Sequence, residues 1–333
     1  MGPWRKHQFV QPKWLGLCKR STSTTSLNSM MGYLERLKGS RSFRQRLLLS
    51  TLSSTPILIE DIRADETWPG LRNHEISLLR LFETVCDDCH VEINETALWS
   101  SFEDLELKVE SRGLPPNGGG EVVLSVPVVQ NLTAVSWIDE GFVRKIRGIT
   151  FSTRVSVQFE YSMIKSARGI INPLVSDVHI FSDHRSGPEA GNSPGYGISL
   201  VAETTSGCFI SADTAVSQAR DEDTSGLADD AKRDLMPPDD IGVGIANALV
   251  GEIAQNGVVD STHQGLLFLL CALCPQDVSK VRVGKLSQHG VETLRNLRDF
   301  LDLKFIIKPD PNSQSVFLKC IGYGMKNLSQ KVS

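Results

Sequence analysis

The chain has 333 residues, 40% of them hydrophobic and 22% charged, enough to bury one large core or two medium ones. A net charge of −4 and a pI near 6.0 exclude any argument for nucleic-acid binding from the whole-protein field, so such a role has to come from local patches. The longest apolar run, Gly265 to Cys274, is about half of a bilayer crossing and reads as a buried helix, with no membrane partner expected.

Residues 1–34 contain no acid, five basic residues and the run "STSTTS", a composition that fits an organellar transit peptide or a disordered N-terminal extension; the extension is favoured, because the sequence after Met31 makes sense without it. The stretch "RLKGSRSFRQR" then brings Arg36, Lys38, Arg41, Arg44 and Arg46 together without an acid. From there the periodicity predicts a helix over "FRQRLLLSTL", a strand over "PILIEDI", an amphipathic helix over "GLRNHEISLLRLFETV" and a strand over "CHVEIN". After Asn94 the pattern breaks, and only "ETALWSSF" leads to the next strand, "LELKVESRG". That strand pairs with "EVVLSV" across "PPNGGG". A phosphate loop needs a helix after its glycines, whereas Gly118, Gly119 and Gly120 open onto a strand and are expected to form a turn.

Residues 143–216 read as a small α/β block of strand, helix and three further strands, opening on the basic cluster Arg144, Lys145 and Arg147. An acidic loop over 217–240 follows, and 241–333 carries helices and strands that predict helices layered on one face of a sheet. The Pro237-Pro238 pair, the acids after it and Asn256-Gly257 frame the helix between them. Seven cysteines at irregular spacing argue against a disulfide framework. Of the two CxxC pairs, Cys86/Cys89 and Cys271/Cys274, the second lies in the apolar helix, so core packing is favoured over zinc and no metal is expected.

Four segments, "IRADETWPGLRNHE", "RGLPPNGGGEVVLSVP", "SPGYGISLVAETTSG" and "LVGEIAQNGVVDSTHQGLLFLLCAL", together resemble the RNA 3′-terminal phosphate cyclase family, in the cyclase-like branch that works in ribosome assembly. The resemblance spans about 31–333 and implies an α+β fold. Its parts would be repeated units of helices packed on a four-stranded sheet, with a small inserted α/β domain at 143–216. On that reading 35–142 is the first part of the cyclase-like domain and 241–333 its last unit. One departure is large: the family has a complete further unit where only about ten residues join Asn94 to Leu105. A chain lacking that unit leaves neighbouring apolar faces uncovered, so it should be less stable than a full-length relative.

The resemblance also points to site residues. Active cyclases attach AMP to a histidine in a Ser-x-His stretch, which Ser287-Gln288-His289 resembles, making His289 the candidate nucleophile. Arg44 and Arg63 fall where the family places arginines that hold phosphate or RNA ends. Glu66 stands where a further arginine is expected, His263 replaces an Asp before Gln264, and "LKGSRSF" replaces an acidic Gly-rich run, so adenylylation is expected to be lost. A basic cluster proposed in this branch for RNA cleavage corresponds to Arg295, Asn296 and Arg298, with Asn296 in place of the acid. The resemblance therefore implies a non-catalytic factor for small-subunit (18S) pre-rRNA processing in the nucleolus, without a cofactor. Its partners would be a nucleolar GTPase, pre-rRNA and the U3 small nucleolar ribonucleoprotein. The alternatives are an endonuclease acting on pre-rRNA or a residual RNA 3′-phosphate cyclase.

Overall fold

The structure, a computed structural model, describes residues 35–53, 55, 57–63, 75, 106–114, 118–125, 132–217 and 236–325. The N-terminal extension, Glu66, the Cys86/Cys89 pair, most of the helix expected at 70–85, the strand at "CHVEIN" and most of the acidic loop lie outside these residues. The chain forms two compact units, one of residues 1–99 with 292–303 and one of residues 100–291 with 304–333.

In the first unit, β1 (Glu35–Lys38) pairs in parallel with β2 (Ile57–Glu60) around α1 (Phe43–Ser53). Ile57 and Ile59 are buried, as are Phe43, Leu47 and Leu49 of α1. Strand β1 has no counterpart in the periodicity. "ERLK" carries no alternation of its own, and its strand form comes from pairing with the apolar β2 and from the Arg36–Glu60 and Lys38–Asp61 ion pairs at 3.8 and 3.2 Å.

In the second unit, β3 (Glu106–Ser111) and β4 (Glu121–Ser125) are antiparallel. The glycine stretch joins them: Gly118 N–H donates to Leu114 O at 3.0 Å, and Gly118 and Gly119 adopt φ of +59° and +84°. A Cβ on Gly119 would stand 2.7 Å from the Asn192 side chain, so the turn needs glycine both for its backbone and for close packing.

Four strands form a mixed sheet in the order β7-β6-β8-β9: β6 (Val143–Thr153), β7 (Val178–Arg185), β8 (Gly195–Thr204) and β9 (Phe209–Ser217). Strands β6 and β7 are parallel and joined through α2 (Gln158–Ile171), while β8 and β9 add antiparallel. On α2, Met163, Ala167 and Ile171 recur at helical spacing and are fully buried, with Ile146, Ile198 and Leu200 beneath them. Each of the large side chains contributes roughly 1.5–3 kcal/mol by leaving water.

Helix α3 (Pro238–Ile253) differs from expectation. The sequence places it with the last unit at 241–333, but Ile241, Ala246 and Leu249 belong to this core. The proline pair marks where the helix starts and says nothing about what it packs on. Its apolar residues complete the layer that α2 alone leaves open.

The remaining sheet has the order β11-β12-β10-β5, built from β5 (Ser136–Trp137), β10 (Val278–Val283), β11 (Ile306–Pro309) and β12 (Val316–Ile321). Strand β5 runs parallel to β10, and β12 is antiparallel to both of its neighbours. One face is buried through Ser279, Val281, Val283, Leu318 and Cys320, near α4 (Gln264–Leu273). Helix α5 (Gln288–Leu301) follows β10. Among the described residues no helix is long and apolar enough to cross a membrane.

Candidate functional site

The Ser-x-His stretch sits at the start of α5, and hydrogen bonds explain its shape. The Ser287 hydroxyl accepts the Gly290 N–H at 3.0 Å, which makes it the cap of the helix. Gln264, fully buried at the start of α4, accepts the Ser287 N–H at 2.9 Å and donates to Lys285 O at 2.9 Å. Gly290 permits the close approach, since a Cβ there would lie 2.8 Å from Gln264 Oε1. His289 is exposed in the first turn. The serine is thus committed to capping and the glutamine to holding the loop.

His263 is paired with a buried carboxylate nearby. Asp260, 2% exposed, accepts the Ser211 N–H and hydroxyl at 2.9 Å each and the Thr262 and His263 N–H groups at 3.1 Å each. Its Oδ1 also lies 2.8 Å from His263 Nδ1. Burial acts to raise the Asp260 carboxyl, yet the His263 and Ser211 hydrogen bonds prevail and hold it down to about 2. The same hydrogen bond, opposed by burial, raises His263. Asp260 therefore holds the turn before α4 and pairs with the imidazole that stands at position 263; the Asp-Ser-Thr-His order before an apolar helix was the sequence signal for this cap.

In the first unit, residues 292–301 of α5 lie against α1. Gln45 Nε2 donates to Thr293 Oγ1 and Gln45 Oε1 accepts from Asn296 Nδ2, both at 2.8 Å. Ser42 and Arg41 both bind Glu292. Asn296 is 9% exposed and its amide faces α1, which makes it a packing contact between α5 and α1. Arg295 and Arg298 are exposed, three residues apart on the helix, with Arg298 bound to Asp299 at 2.8 Å. Asn296→Ala is expected to lower stability by about 1 kcal/mol in a denaturant melt, the cost of leaving half-buried Gln45 without its donor.

The arginines expected to hold phosphate differ from each other. Arg44 projects exposed from α1. Arg63 is 14% exposed at its side chain and forms a two-pronged pair with buried Glu75, 2.7 Å at each prong. Its guanidinium is turned to a carboxylate, and the two parallel hydrogen bonds fix its orientation. The basic cluster opening β6 is ion-paired too: Arg144 and Lys145 share Glu203, and Arg147 binds Asp177.

Cys271 and Cys274 are free and buried. Contact with Cys320 and then burial push the Cys271 thiol up, as expected of a core thiol. Among the described residues no group of His, Cys, Asp and Glu side chains is arranged to hold a metal ion.

The family model for RNA 3′-terminal phosphate cyclase matches residues 35–101, and that for its insert domain matches 138–254. A probable RNA 3′-terminal phosphate cyclase-like protein of Arabidopsis thaliana is 51% identical, over 91% of this chain and 100% of its own. The chain belongs to the RNA 3′-terminal phosphate cyclase family, in its cyclase-like branch. The cyclase-like protein of Homo sapiens is 35% identical over 88% of this chain and 96% of its own. The rRNA processing protein rcl1 of Schizosaccharomyces pombe is 30% identical over 90% of this chain and 99% of its own. The insert match runs through α3, in agreement with the packing of that helix in the core of the β6–β9 sheet. The Arabidopsis alignment has 376 positions but takes in 91% of 333 residues, about 303, so some 73 positions are filled by the relative alone.

Proposed function

We propose that this chain is a ribosome-biogenesis factor that acts in small-subunit (18S) pre-rRNA processing and does not catalyse cyclisation. The observation that carries the reading is its similarity along most of the chain to a relative named as an rRNA processing protein. Local geometry supports a non-catalytic role: Ser287 caps a helix, Arg63 is taken by Glu75, and Asn296 is buried against Gln45. The partners that suit this reading are a nucleolar GTPase, pre-rRNA and the U3 small nucleolar ribonucleoprotein, with the nucleolus as the place of action.

Depletion of the protein should accumulate unprocessed small-subunit rRNA precursors, and re-expression should clear them; normal processing after depletion would overturn the proposal. Incubation of the purified chain with labelled ATP should give no covalent AMP adduct. An adduct that disappears in His289→Ala would reinstate adenylylation.

A further inference from the structure

We propose that the outer face of the β11-β12-β10-β5 sheet is a platform for the backbone of single-stranded RNA, carried by Lys280, Lys319 and Lys308; it deepens the RNA-processing reading above and rests on it. In the antiparallel register Lys280 stands directly opposite Lys319. Side chains so placed have Cβ atoms about 4.5–5.5 Å apart, and like charges there destabilise a sheet. Lys308 is on the same face, because Ile306 pairs with Lys319 and Lys308 lies two residues further along β11. All three lysines are exposed, and among the described residues none forms an ion pair.

The other strand-borne cations of this unit show what is unusual here. Arg144 and Lys145 are matched by Glu203, and Arg147 by Asp177. Arg282 is held by Glu140 and Asp310 and lies over the Phe317 ring, 5.4 Å from its centroid. Among the described strand residues of these two sheets, only the three platform lysines carry a full positive charge with no carboxylate in contact. Repulsion between Lys280 and Lys319 falls when a polyanion lies across them.

The surface around the lysines favours RNA over an acidic protein strand. Ile306 and Ile321, 60% and 58% exposed, and Val278, 44% exposed, offer apolar ground between the charges for ribose and base faces. The opposed pair stands on the inner strands β10 and β12, where the backbone groups are already paired and an incoming peptide has no edge to extend. Lysine grips phosphate as a point charge without fixed geometry, which suits contact with a flexible strand regardless of sequence.

The test measures binding of a labelled oligouridylate to the full chain by fluorescence anisotropy across a salt series, alongside thermal melts. In Lys280→Ala/Lys319→Ala, affinity at low salt should fall about 5- to 20-fold and the slope of log K against log salt should flatten by about 1–1.5. The melting temperature should rise by about 1–3 °C as the repulsion is removed. A platform role predicts both changes together, whereas a merely structural role predicts no loss of binding. No RNA binding by the wild type, an unchanged salt slope in the folded double variant, or tighter binding of polyglutamate than of oligouridylate would each overturn the proposal. If the double variant loses RNA binding but depletion leaves rRNA processing normal, the platform stands and the processing role falls.

Discussion

Asp260→Ala is expected to lower stability by about 3–4 kcal/mol, and the melting temperature with it by roughly 6–12 °C. The carboxylate is buried and accepts hydrogen bonds from Ser211, Thr262 and His263, so its removal strands donors on both β9 and the start of α4. Asp260→Asn should recover part of the loss, since an amide oxygen can still accept some of these bonds. The effect also depends on pH. Asp260 is depressed from 3.8 to about 2, so its stabilising contribution is present above about pH 4 and is lost as pH falls toward 2. His263 is raised above 6.5, so its contribution is full below that value and is lost as pH rises through its folded-state pKa. The pair is therefore strongest between about pH 4 and 6.5. Because the imidazole is half exposed, its own share is below about 1 kcal/mol. The difference in melting temperature between wild type and His263→Ala should narrow from pH 5.5 to pH 9; a constant gap would contradict the pairing.

The second large effect belongs to the insert. Glu160 on α2 is completely buried, and its carboxyl accepts hydrogen bonds from the Ser152 and Ser182 hydroxyls, with Thr150 at 3.5 Å. Ser152 Oγ also lies 2.7 Å from His184 Nδ1, so one polar cluster ties α2 to β6 and β7. Glu160→Ala leaves a cavity and unsatisfied hydroxyls and should cost about 3 kcal/mol, against about 1 kcal/mol for Glu160→Gln. Urea melts followed by circular dichroism would measure both. Equal costs for the two substitutions would mean that the carboxylate itself, and not the volume it fills, matters at this position.

Much of the fold was legible because it is local. The spacing of Met163, Ala167 and Ile171 predicts α2, and the glycines after Pro116 predict a strand-to-strand turn. What escaped depends on partners far away in sequence. Strand β1 exists because β2 lies beside it, and α3 lies with the insert because α2 and β8 leave a gap that its apolar face fills. The site residues show the same limit. A family pattern selects Arg63 and Asn296 by position, but Glu75 and Gln45 decide what those side chains do. The opposed lysines were invisible for a related reason: strand register, which no single strand carries, makes Lys280 and Lys319 neighbours.

Strand β5 has one more consequence. The Val135 N–H reaches Ser279 Oγ, 144 positions away, and the insert occupies the chain between. During synthesis the insert emerges and can close its own contacts while β5 still waits for β10. The final sheet must then assemble across a preformed obstacle, a long-range closure that makes this step slow and leaves the unpaired β5 exposed to wrong partners in the meantime.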